Sequence, residues 1–167
     1  MFDEMRGSDE EESRVRPALE WIVDALNRHR VPYQVVGGLA ARAHGARRPV
    51  VDVDLYVPFD RATAALEEIR PHIYWGPEYY LDDHWDLTYL KANYAGQKVE
   101  LGDSSSNPRY FNADAGRWEA QRVDYGRSVT IPIFGVEAKV MPKDELIRYK
   151  RHLGREVDLI DVEQLTT

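Results

Sequence analysis

Residues 33–57, YQVVGGLAARAHGARRPVVDVDLYV, carry the pattern that decides the fold. The short apolar run at 33–36 predicts a buried strand that ends at a Gly-Gly pair. The residues at 39–44 predict a short helix, and the apolar pattern at 50–57 predicts a second strand. The stretch therefore predicts two strands that are joined through a glycine turn and one short helix.

Two aspartates on the second predicted strand are the first candidates for chemistry. Asp52 and Asp54 are two residues apart, so both side chains leave the same face of a strand. Two carboxylates at this spacing repel each other unless a cation neutralises them. Such oxygen ligands suit Mg²⁺ or Mn²⁺, often together with substrate phosphates, and Gly37 and Gly38 let the backbone approach those phosphates closely. We therefore predict a metal-dependent site for phosphoryl or nucleotidyl transfer.

The net charge of −7 over 167 residues is concentrated at the N-terminus. Residues 1–12 hold six acids and one base, so the rest of the chain carries a net charge of only −2. We predict a disordered acidic tail over 1–12, with an interaction arm as the alternative, and a single domain over 13–167. The nearly neutral body argues against broad non-specific binding of nucleic acid.

The chain has no cysteine, which excludes a disulfide framework and a thiolate metal site. No apolar run approaches the roughly 18 residues that a membrane-spanning helix needs. The acidic N-terminus lacks the apolar core of a signal peptide. We expect a cytoplasmic protein that has no membrane partner.

The remaining segments predict helices and strands in mixed order. The expected fold class is α+β, a small mixed β-sheet with helices packed on it. A hairpin is expected from strands at 85–94 and 97–101. Further predicted segments are helices at 15–30, 60–70, 143–153 and 156–165, a weak helix at 114–121, and strands at 129–134 and 136–140.

A site with two cations usually needs a third carboxylate. Glu100 is the first candidate, because it lies between two apolar residues on a hairpin arm that we expect beside the Asp52 and Asp54 strand. Asp103, in the loop that follows, is the alternative. In the predicted mechanism the aspartates hold metal against the phosphates of a nucleotide, and Glu100 with a second ion lowers the pKa of an acceptor hydroxyl. That oxygen then attacks the α-phosphorus in line, and pyrophosphate leaves.

These features form one pattern: a Gly-Gly pair at a strand end, a short helix, an arginine before Asp-x-Asp, and a later carboxylate between apolar residues. In this pattern the chain resembles the minimal nucleotidyltransferase (polymerase-β-like) superfamily, in particular its small bacterial antibiotic-nucleotidyltransferase and toxin-type members. The resemblance covers about residues 31–165, and its first half is the specific part. The matching residues are Gly37, Gly38, Arg48, Asp52, Asp54 and Glu100.

The resemblance implies an enzyme that transfers a nucleoside monophosphate from a nucleoside triphosphate to a hydroxyl acceptor. It implies Mg²⁺ or Mn²⁺ at Asp52, Asp54 and Glu100, which are also the catalytic residues. Residues implied to bind the nucleotide are Gly37, Gly38, Arg48 and Lys150. For Lys150, which lies on a predicted helix, the simpler interpretation is a solvated surface residue.

Three departures from the family pattern leave a second function open. Leu39 stands where the family has Ser or Thr, Val50 replaces the usual Thr, and Glu100 is one methylene longer than Asp. These changes motivate the alternative of a catalytically degenerate module that binds a nucleotide or a partner. A hydrolase that uses water as its acceptor is a third hypothesis.

The acceptor is left open between a small molecule, an RNA end such as that of tRNA, and a protein side chain in a toxin-like role. The nearly neutral body favours a small acceptor, whereas tRNA would need only one basic groove. Candidates for that groove are Arg42, Arg47, Arg48, Lys139, Lys143, Arg148, Lys150 and Arg151. Candidates for lining an acceptor pocket are Tyr79, Tyr80 and Tyr110.

One further cluster of possible metal ligands precedes the predicted hairpin. Its residues are Asp82, Asp83, His84 and Asp86. Because aspartates commonly cap turns with their side chains, we predict a capped polar turn there and not a metal site.

Overall fold

A long N-terminal helix precedes the strands in the computed structural model, which describes residues 2–167 and the side chains of residues 9–167. The helices of the described part are α1 (Phe2–Arg28), α2 (Gly37–Ala43), α3 (Thr63–Ile69), α4 (Lys143–Leu153) and α5 (Glu156–Thr166). Its strands are β1 (Gln34–Val35), β2 (Val53–Val57), β3 (Ile73–Leu81), β4 (Trp85–Tyr94), β5 (Gln97–Asp103), β6 (Arg109–Asn112), β7 (Arg117–Ala120), β8 (Val129–Ile133) and β9 (Val136–Val140).

The strands form one mixed sheet in the order β7-β6-β4-β5-β2-β1-β9-β8, and β3 pairs with β4 outside this path. Two pairs are parallel, β2 with β5 and β1 with β9, and the others are antiparallel. Parallel neighbours need a crossover connection, and the chain between β2 and β5 makes it through α3 and the β3–β4 pair. The predicted α+β class is confirmed.

The local pattern of the sequence located most of these elements. The predicted hairpin is the β4–β5 pair, and its turn residues Ala95 and Gly96 both have positive φ. The predictions of β8, β9, α4 and α5 are confirmed within one or two residues. The second strand of the opening stretch is shorter than predicted, because β2 begins only at Val53 and leaves Asp52 in the preceding loop.

The acidic N-terminal segment differs from its prediction. α1 begins at Phe2, so residues 9–12 belong to a helix, and the predicted disorder is wrong for them. Three of these four residues are glutamates, and glutamate is a good helix former. Tertiary contacts add to this preference, since Glu11 is only 6% exposed and accepts a hydrogen bond from the Val50 amide. Met1, also part of the predicted tail, lies outside the described residues.

Two β segments were missed by the local patterns. Residues 114–121, predicted as a weak helix, form the turn and second strand of the β6–β7 hairpin, where Phe111 lies opposite Trp118 and their rings meet edge to face. The strand β3 was not predicted at all. Gly76 and Pro77 interrupt its apolar alternation, and its pairing with β4 shifts register around them.

The apolar stripe of α1 packs on the sheet and forms the centre of the core. Helix α3 contacts α1 on this side. The stripe residues, each at most 2% exposed, are Val15, Leu19, Ile22, Val23 and Leu26. Within residues 2–167, none of the helices combines the length and the apolar character that crossing a membrane requires.

Candidate active site

Parallel pairing of β2 with β5 brings three carboxylates together. The register places Asp54 directly beside Glu100, so their side chains leave the same face of the sheet. Asp52 lies two residues before Asp54, in the loop that leads into β2. One carboxylate oxygen from each of these residues lies within 4.8 Å of the others, and we call the three residues the carboxylate cluster.

The carboxylate cluster has the chemistry of a site for a hard cation. Oδ1 of Asp54 is buried and has no hydrogen-bond partner in the part of the chain that the structure describes. Burial, and then the charges of Glu100 and Asp52, raise the pKa of Asp54 well above its ordinary value. Burial also raises the pKa of Asp52, against the opposing effect of Lys98. A buried carboxylate oxygen without a donor, in a group of three acids that each offer an oxygen ligand, fits Mg²⁺ or Mn²⁺.

The Gly-Gly pair keeps open the space beside these acids. Gly37 begins α2 with φ +65°, and a Cβ built on it would lie 2.8 Å from Oδ2 of Asp54. A Cβ on Gly38 would lie 3.3 Å from Nη2 of Arg48. Glycine is therefore required at residue 37 for both its backbone conformation and its lack of a side chain.

One cation lies next to the cluster and was missed by the sequence prediction. Nζ of Lys98 is 2.8 Å from Oε1 of Glu100. Lys98 precedes Glu100 by two residues on β5, so the two side chains share a face. The spacing of two is the signal that could have identified it.

A second group of charged residues extends from the cavity lining into the interior, and we call it the ion-pair network. Arg48 donates to both carboxylate oxygens of Asp161, at 3.0 and 2.8 Å. Nζ of Lys150 lies 3.0 Å from Asp161 Oδ2 and 3.4 Å from Asp158 Oδ1. Arg155 donates to both oxygens of Asp158, at 2.7 and 3.1 Å. Lys150 is only 2% exposed, so its interpretation as a solvated residue is wrong.

Each acid of the network is paired with at least two bases, whereas the carboxylate cluster holds three acids beside one lysine. The side chains of Asp158 and Asp161 are fully buried. Burial alone would raise the pKa of Asp161, but hydrogen bonds from Arg48 and Lys150 outweigh it and hold the pKa below its ordinary value. The sequence prediction missed both aspartates, although Arg155, Asp158 and Asp161 recur at the three-residue spacing of one helix face.

The alternative third carboxylate, Asp103, has a different role in the structure. It lies opposite Val57, three residues beyond Glu100 along β5. Its Oδ1 accepts hydrogen bonds from the amides of Phe59 and Ser105, at 3.0 and 2.9 Å. Asp103 therefore caps the following turn, and Glu100 is the carboxylate that lies with Asp52 and Asp54.

A cavity of about 390 Å³ opens over the carboxylate cluster. Every site residue predicted from the sequence lines it: Gly37, Gly38, Arg48, Asp52, Asp54, Glu100 and Lys150. Its other side is mainly aromatic and apolar, with Tyr80, Trp85, Leu87 and Tyr89. Two of the three tyrosines predicted for an acceptor pocket are absent from the lining among the described residues. Tyr79 is 63% exposed elsewhere, and the Tyr110 hydroxyl is hydrogen-bonded to His152.

The polar cluster before β4 is a turn, as predicted. Oδ1 of Asp82 accepts hydrogen bonds from the amides of His84 and Trp85, at 2.8 and 2.7 Å. Asp86 pairs with Arg109 on the neighbouring strand. Among residues 9–167, the group that could hold a metal ion is the carboxylate cluster and not this turn.

The basic residues considered for an RNA groove are partly neutralised. Arg42 lies 3.0 Å from Glu11 Oε1 as an ion pair, and Arg48 and Lys150 belong to the ion-pair network. Nζ of Lys139 donates to Thr130 on the neighbouring strand. The ion pairs of Arg42, Arg48 and Lys150 leave less free positive charge than a count of the sequence indicates.

No protein-family model matches the sequence. A search of curated proteins finds no relative. Solved structures, in contrast, share the fold. A candidate nucleotidyltransferase from Thermotoga maritima has a TM-score of 0.70 and 19% sequence identity, over 92% of this chain and 93% of that one.

Two antibiotic-modifying proteins are similar over nearly the same span. Lincosamide antibiotic adenylyltransferase LnuA, solved with lincomycin, has a TM-score of 0.56 and 14% identity over 89% of this chain and 94% of its own. ANT(2″)-Ia, solved with adenylyl-2″-tobramycin, has a TM-score of 0.58 and 15% identity over 89% of this chain and 86% of its own. At these identities the similarity establishes the fold, and the chain has a nucleotidyltransferase fold.

Proposed function

We propose that this chain is a nucleotidyltransferase that uses Mg²⁺ or Mn²⁺ to transfer a nucleoside monophosphate from a nucleoside triphosphate to a hydroxyl group of a small molecule. The observation that carries the proposal is the carboxylate cluster on a nucleotidyltransferase fold, with the buried Asp54 oxygen unpartnered among the described residues. A structural carboxylate at such a position would be expected to have a donor.

Each residue of the site has a role in this proposal. Asp52 and Asp54 hold the ion, which when bound neutralises phosphate charge and polarises the reacting phosphorus. Gly37 and Gly38 leave room for the phosphates beside Asp54. Arg48 and Lys150 belong to the ion-pair network, whose three bases and two acids leave one net positive charge at the cavity for the nucleotide. The acceptor oxygen forms a bond to the α-phosphorus as the bond to the pyrophosphate oxygen breaks, and Glu100 takes the hydroxyl proton.

Three observations support a small acceptor. The cavity volume of about 390 Å³ is typical of small-molecule sites. The wall with Tyr80, Trp85 and Tyr89 offers apolar faces on which a ring can pack. The two named adenylyltransferases with this fold were solved with a small antibiotic or its adenylylated form. Ion pairing of Arg42, Arg48 and Lys150 weakens the case for a continuous RNA groove.

Leu39 and Val50 lack the hydroxyl groups that the family pattern has at these positions. The glycine pair and the three carboxylates of the site are present. Phosphate can be bound by backbone amides at the glycine turn without a side-chain hydroxyl. The register of β2 and β5 brings Glu100 beside Asp54, so its extra methylene does not prevent it from joining the cluster. These points favour an active enzyme over a degenerate binding module.

The experiment is a transfer assay with each of four α-labelled nucleoside triphosphates, Mg²⁺ or Mn²⁺, and a panel of hydroxyl-bearing acceptors that includes lincomycin, tobramycin and tRNA. We expect pyrophosphate release and a label on a small acceptor, both lost in Asp54→Asn. Isothermal titration with the triphosphate and Mn²⁺ measures binding in parallel.

Each other outcome identifies a competing hypothesis. Nucleotide binding without turnover across the panel would support the degenerate module. Consumption of triphosphate without labelled acceptor would support the hydrolase, and a label only on tRNA would replace the small acceptor by RNA. Unchanged transfer in Asp54→Asn would refute the assigned site.

A further inference from the structure

The N-terminal helix reaches the loop that carries Asp52. Glu11 of α1 is 6% exposed, and its Oε2 accepts a hydrogen bond of 2.9 Å from the Val50 amide. Its other oxygen lies 3.0 Å from Arg42, an ion pair outside hydrogen-bond geometry. A buried glutamate is costly unless it is paired, so this contact holds a specific arrangement of helix and loop.

Arg14, one turn further along α1, holds the same peptide segment from its carbonyl side. Its Nη2 donates to the Val50 carbonyl at 2.9 Å, and its Nη1 donates to the side chain of Gln97. Gln97, 1% exposed, donates in turn to the Val51 carbonyl at 2.9 Å. The amide and carbonyl of Val50 and the carbonyl of Val51 are therefore all bound by side chains from α1 or β5.

This matters because the sheet does not hold Asp52 itself. β2 begins at Val53, so Asp52 lies in the loop before the first ladder residue. Val51 is 68% exposed and contributes little packing that would hold the loop. The direction of the Asp52 side chain consequently depends on the contacts made to residues 50 and 51.

We infer that Glu11, Arg14 and Gln97 are positioning residues for the metal site, and we call them the α1 clamp. This inference rests on the proposed function, since positioning Asp52 is useful only if Asp52 binds an ion. Gln97 begins the strand that carries Glu100, so the clamp joins the two sides of the carboxylate cluster. Outer contacts of this kind typically change metal affinity or activity by about 10-fold to 100-fold when they are removed.

The experiment compares Arg14→Ala and Glu11→Ala with matched changes on the exposed side of the same helix, Arg16→Ala and Glu10→Ala. Mn²⁺ binding is measured by electron paramagnetic resonance of the free ion, at a temperature where all variants are folded. Hydrogen exchange of the Val50 amide is followed by NMR without metal. Steady-state kinetics then separate kcat from the KM for the triphosphate.

We expect both clamp variants to bind Mn²⁺ about 10-fold more weakly and to lose kcat by about the same factor, with a smaller change in KM. In Glu11→Ala the Val50 amide should exchange faster, because it loses its acceptor. Glu11→Gln keeps an acceptor for that amide and should restore part of the loss. The two matched variants should behave as the wild-type chain does. A merely structural role would lower the melting temperature without this pattern.

Two different results would refute the α1 clamp and the proposed function separately. If the folded Arg14→Ala and Glu11→Ala variants bind Mn²⁺ and turn over like the wild type, the α1 clamp is refuted while the proposed function stands. If the wild-type chain itself binds no Mn²⁺, the proposed function fails, and the positioning role of the clamp fails with it.

Discussion

Two groups of acids lie around the same cavity and differ in how their charge is compensated. Asp158 and Asp161 are fully buried, and each accepts two or more contacts from Arg48, Lys150 or Arg155. The carboxylate cluster has the ammonium of Lys98 at its edge, and within the described residues the buried Asp54 oxygen has no donor.

The difference in charge compensation indicates which acids stabilise the fold and which are available to bind a ligand. Buried charges that are paired and hydrogen-bonded can belong to the fold alone. The carboxylate cluster holds three acids beside one lysine, and burial and neighbouring carboxylates raise the pKa values of Asp52 and Asp54. Like charges that the described protein compensates only in part indicate a missing positive ligand. The substitutions below test this contrast, from the largest expected effect to the smallest.

Replacing Asp54 by Asn should remove the activity and stabilise the metal-free fold. Loss of a metal ligand costs several kcal/mol of transition-state stabilisation, so we expect the transfer rate to fall by at least about 1,000-fold. Because the native state raises the pKa of Asp54, the charged carboxylate destabilises the fold at neutral pH. Removing it should raise the melting temperature by about 3 °C, measured by calorimetry without metal.

The exposed Asp114→Asn variant is the control, and neither the rate nor the melting temperature should change there. Added Mn²⁺ should raise the melting temperature of the wild-type chain and not of Asp54→Asn. A metal-free Asp54→Asn variant that melts well below the wild type would mean that the carboxylate belongs to the fold, as Asp161 does.

The same substitution in the ion-pair network should have the opposite effect on stability. Asp161→Asn leaves Lys150 and Arg48 without their shared partner, and breaking a buried pair costs about 3 kcal/mol. Urea unfolding at pH 7 measures this loss, with the exposed Glu163→Gln on the same helix as control. A loss below about 0.5 kcal/mol, the range of ordinary surface substitutions, would contradict the assigned role.

The pH dependence of this loss follows from the lowered pKa of Asp161. Burial opposes the shift, but the hydrogen bonds from Arg48 and Lys150 prevail. A carboxyl group with a lowered native pKa stabilises the fold above its ordinary value of 3.8, and that contribution disappears as the pH falls through the native pKa. The stability gap between wild type and Asp161→Asn should therefore narrow below pH 3.8.

Comparing Gly37→Ala with Gly116→Ala should distinguish two effects of an added methyl group, backbone strain and contact with the carboxylate cluster. Gly37 and Gly116 have nearly the same φ, +65° and +66°, but only at Gly37 would a Cβ meet Asp54, at 2.8 Å. Both alanine variants should lose about 1 kcal/mol from the left-handed conformation. Only Gly37→Ala should also weaken Mn²⁺ binding, by about 10-fold. Equal Mn²⁺ affinity in the two variants would show that the glycine serves the turn alone.

Lys98→Met should give the smallest change in Mn²⁺ affinity, and it should strengthen binding where Gly37→Ala weakens it. Lys98 is partly exposed and adjacent to Glu100, so its charge weakens the binding of another cation. Its removal should tighten Mn²⁺ binding by roughly threefold, the scale of one screened charge at this distance. The exposed Lys143→Met serves as control. Weaker Mn²⁺ binding in Lys98→Met would instead show that the lysine holds Glu100 in place.

Local sequence patterns were sufficient to predict much of the candidate site. The spacing of Asp52 and Asp54, the glycine pair and the β4–β5 hairpin all depend on residues close in the chain. Their geometry follows from the periods of strand and turn. Where local signals were weak, as in β3 with its Gly76-Pro77 interruption and in the hairpin around residue 115, the prediction failed, because pairing with a distant strand decided the structure.

The sequence alone determined which residues carry the proposed chemistry, since each predicted site residue lines the one cavity that opens over the carboxylate cluster. Only the tertiary structure decided between Glu100 and Asp103, because the register of two parallel strands distant in the chain selects the partner of Asp54. It also revealed Lys150 as a buried residue and residues 9–12 as part of a helix. Lys150 pairs with acids of the neighbouring helix α5, and Glu11 pairs with Arg42 and the Val50 amide. Contacts between separate elements depend on how those elements pack, which the local pattern of either element does not show.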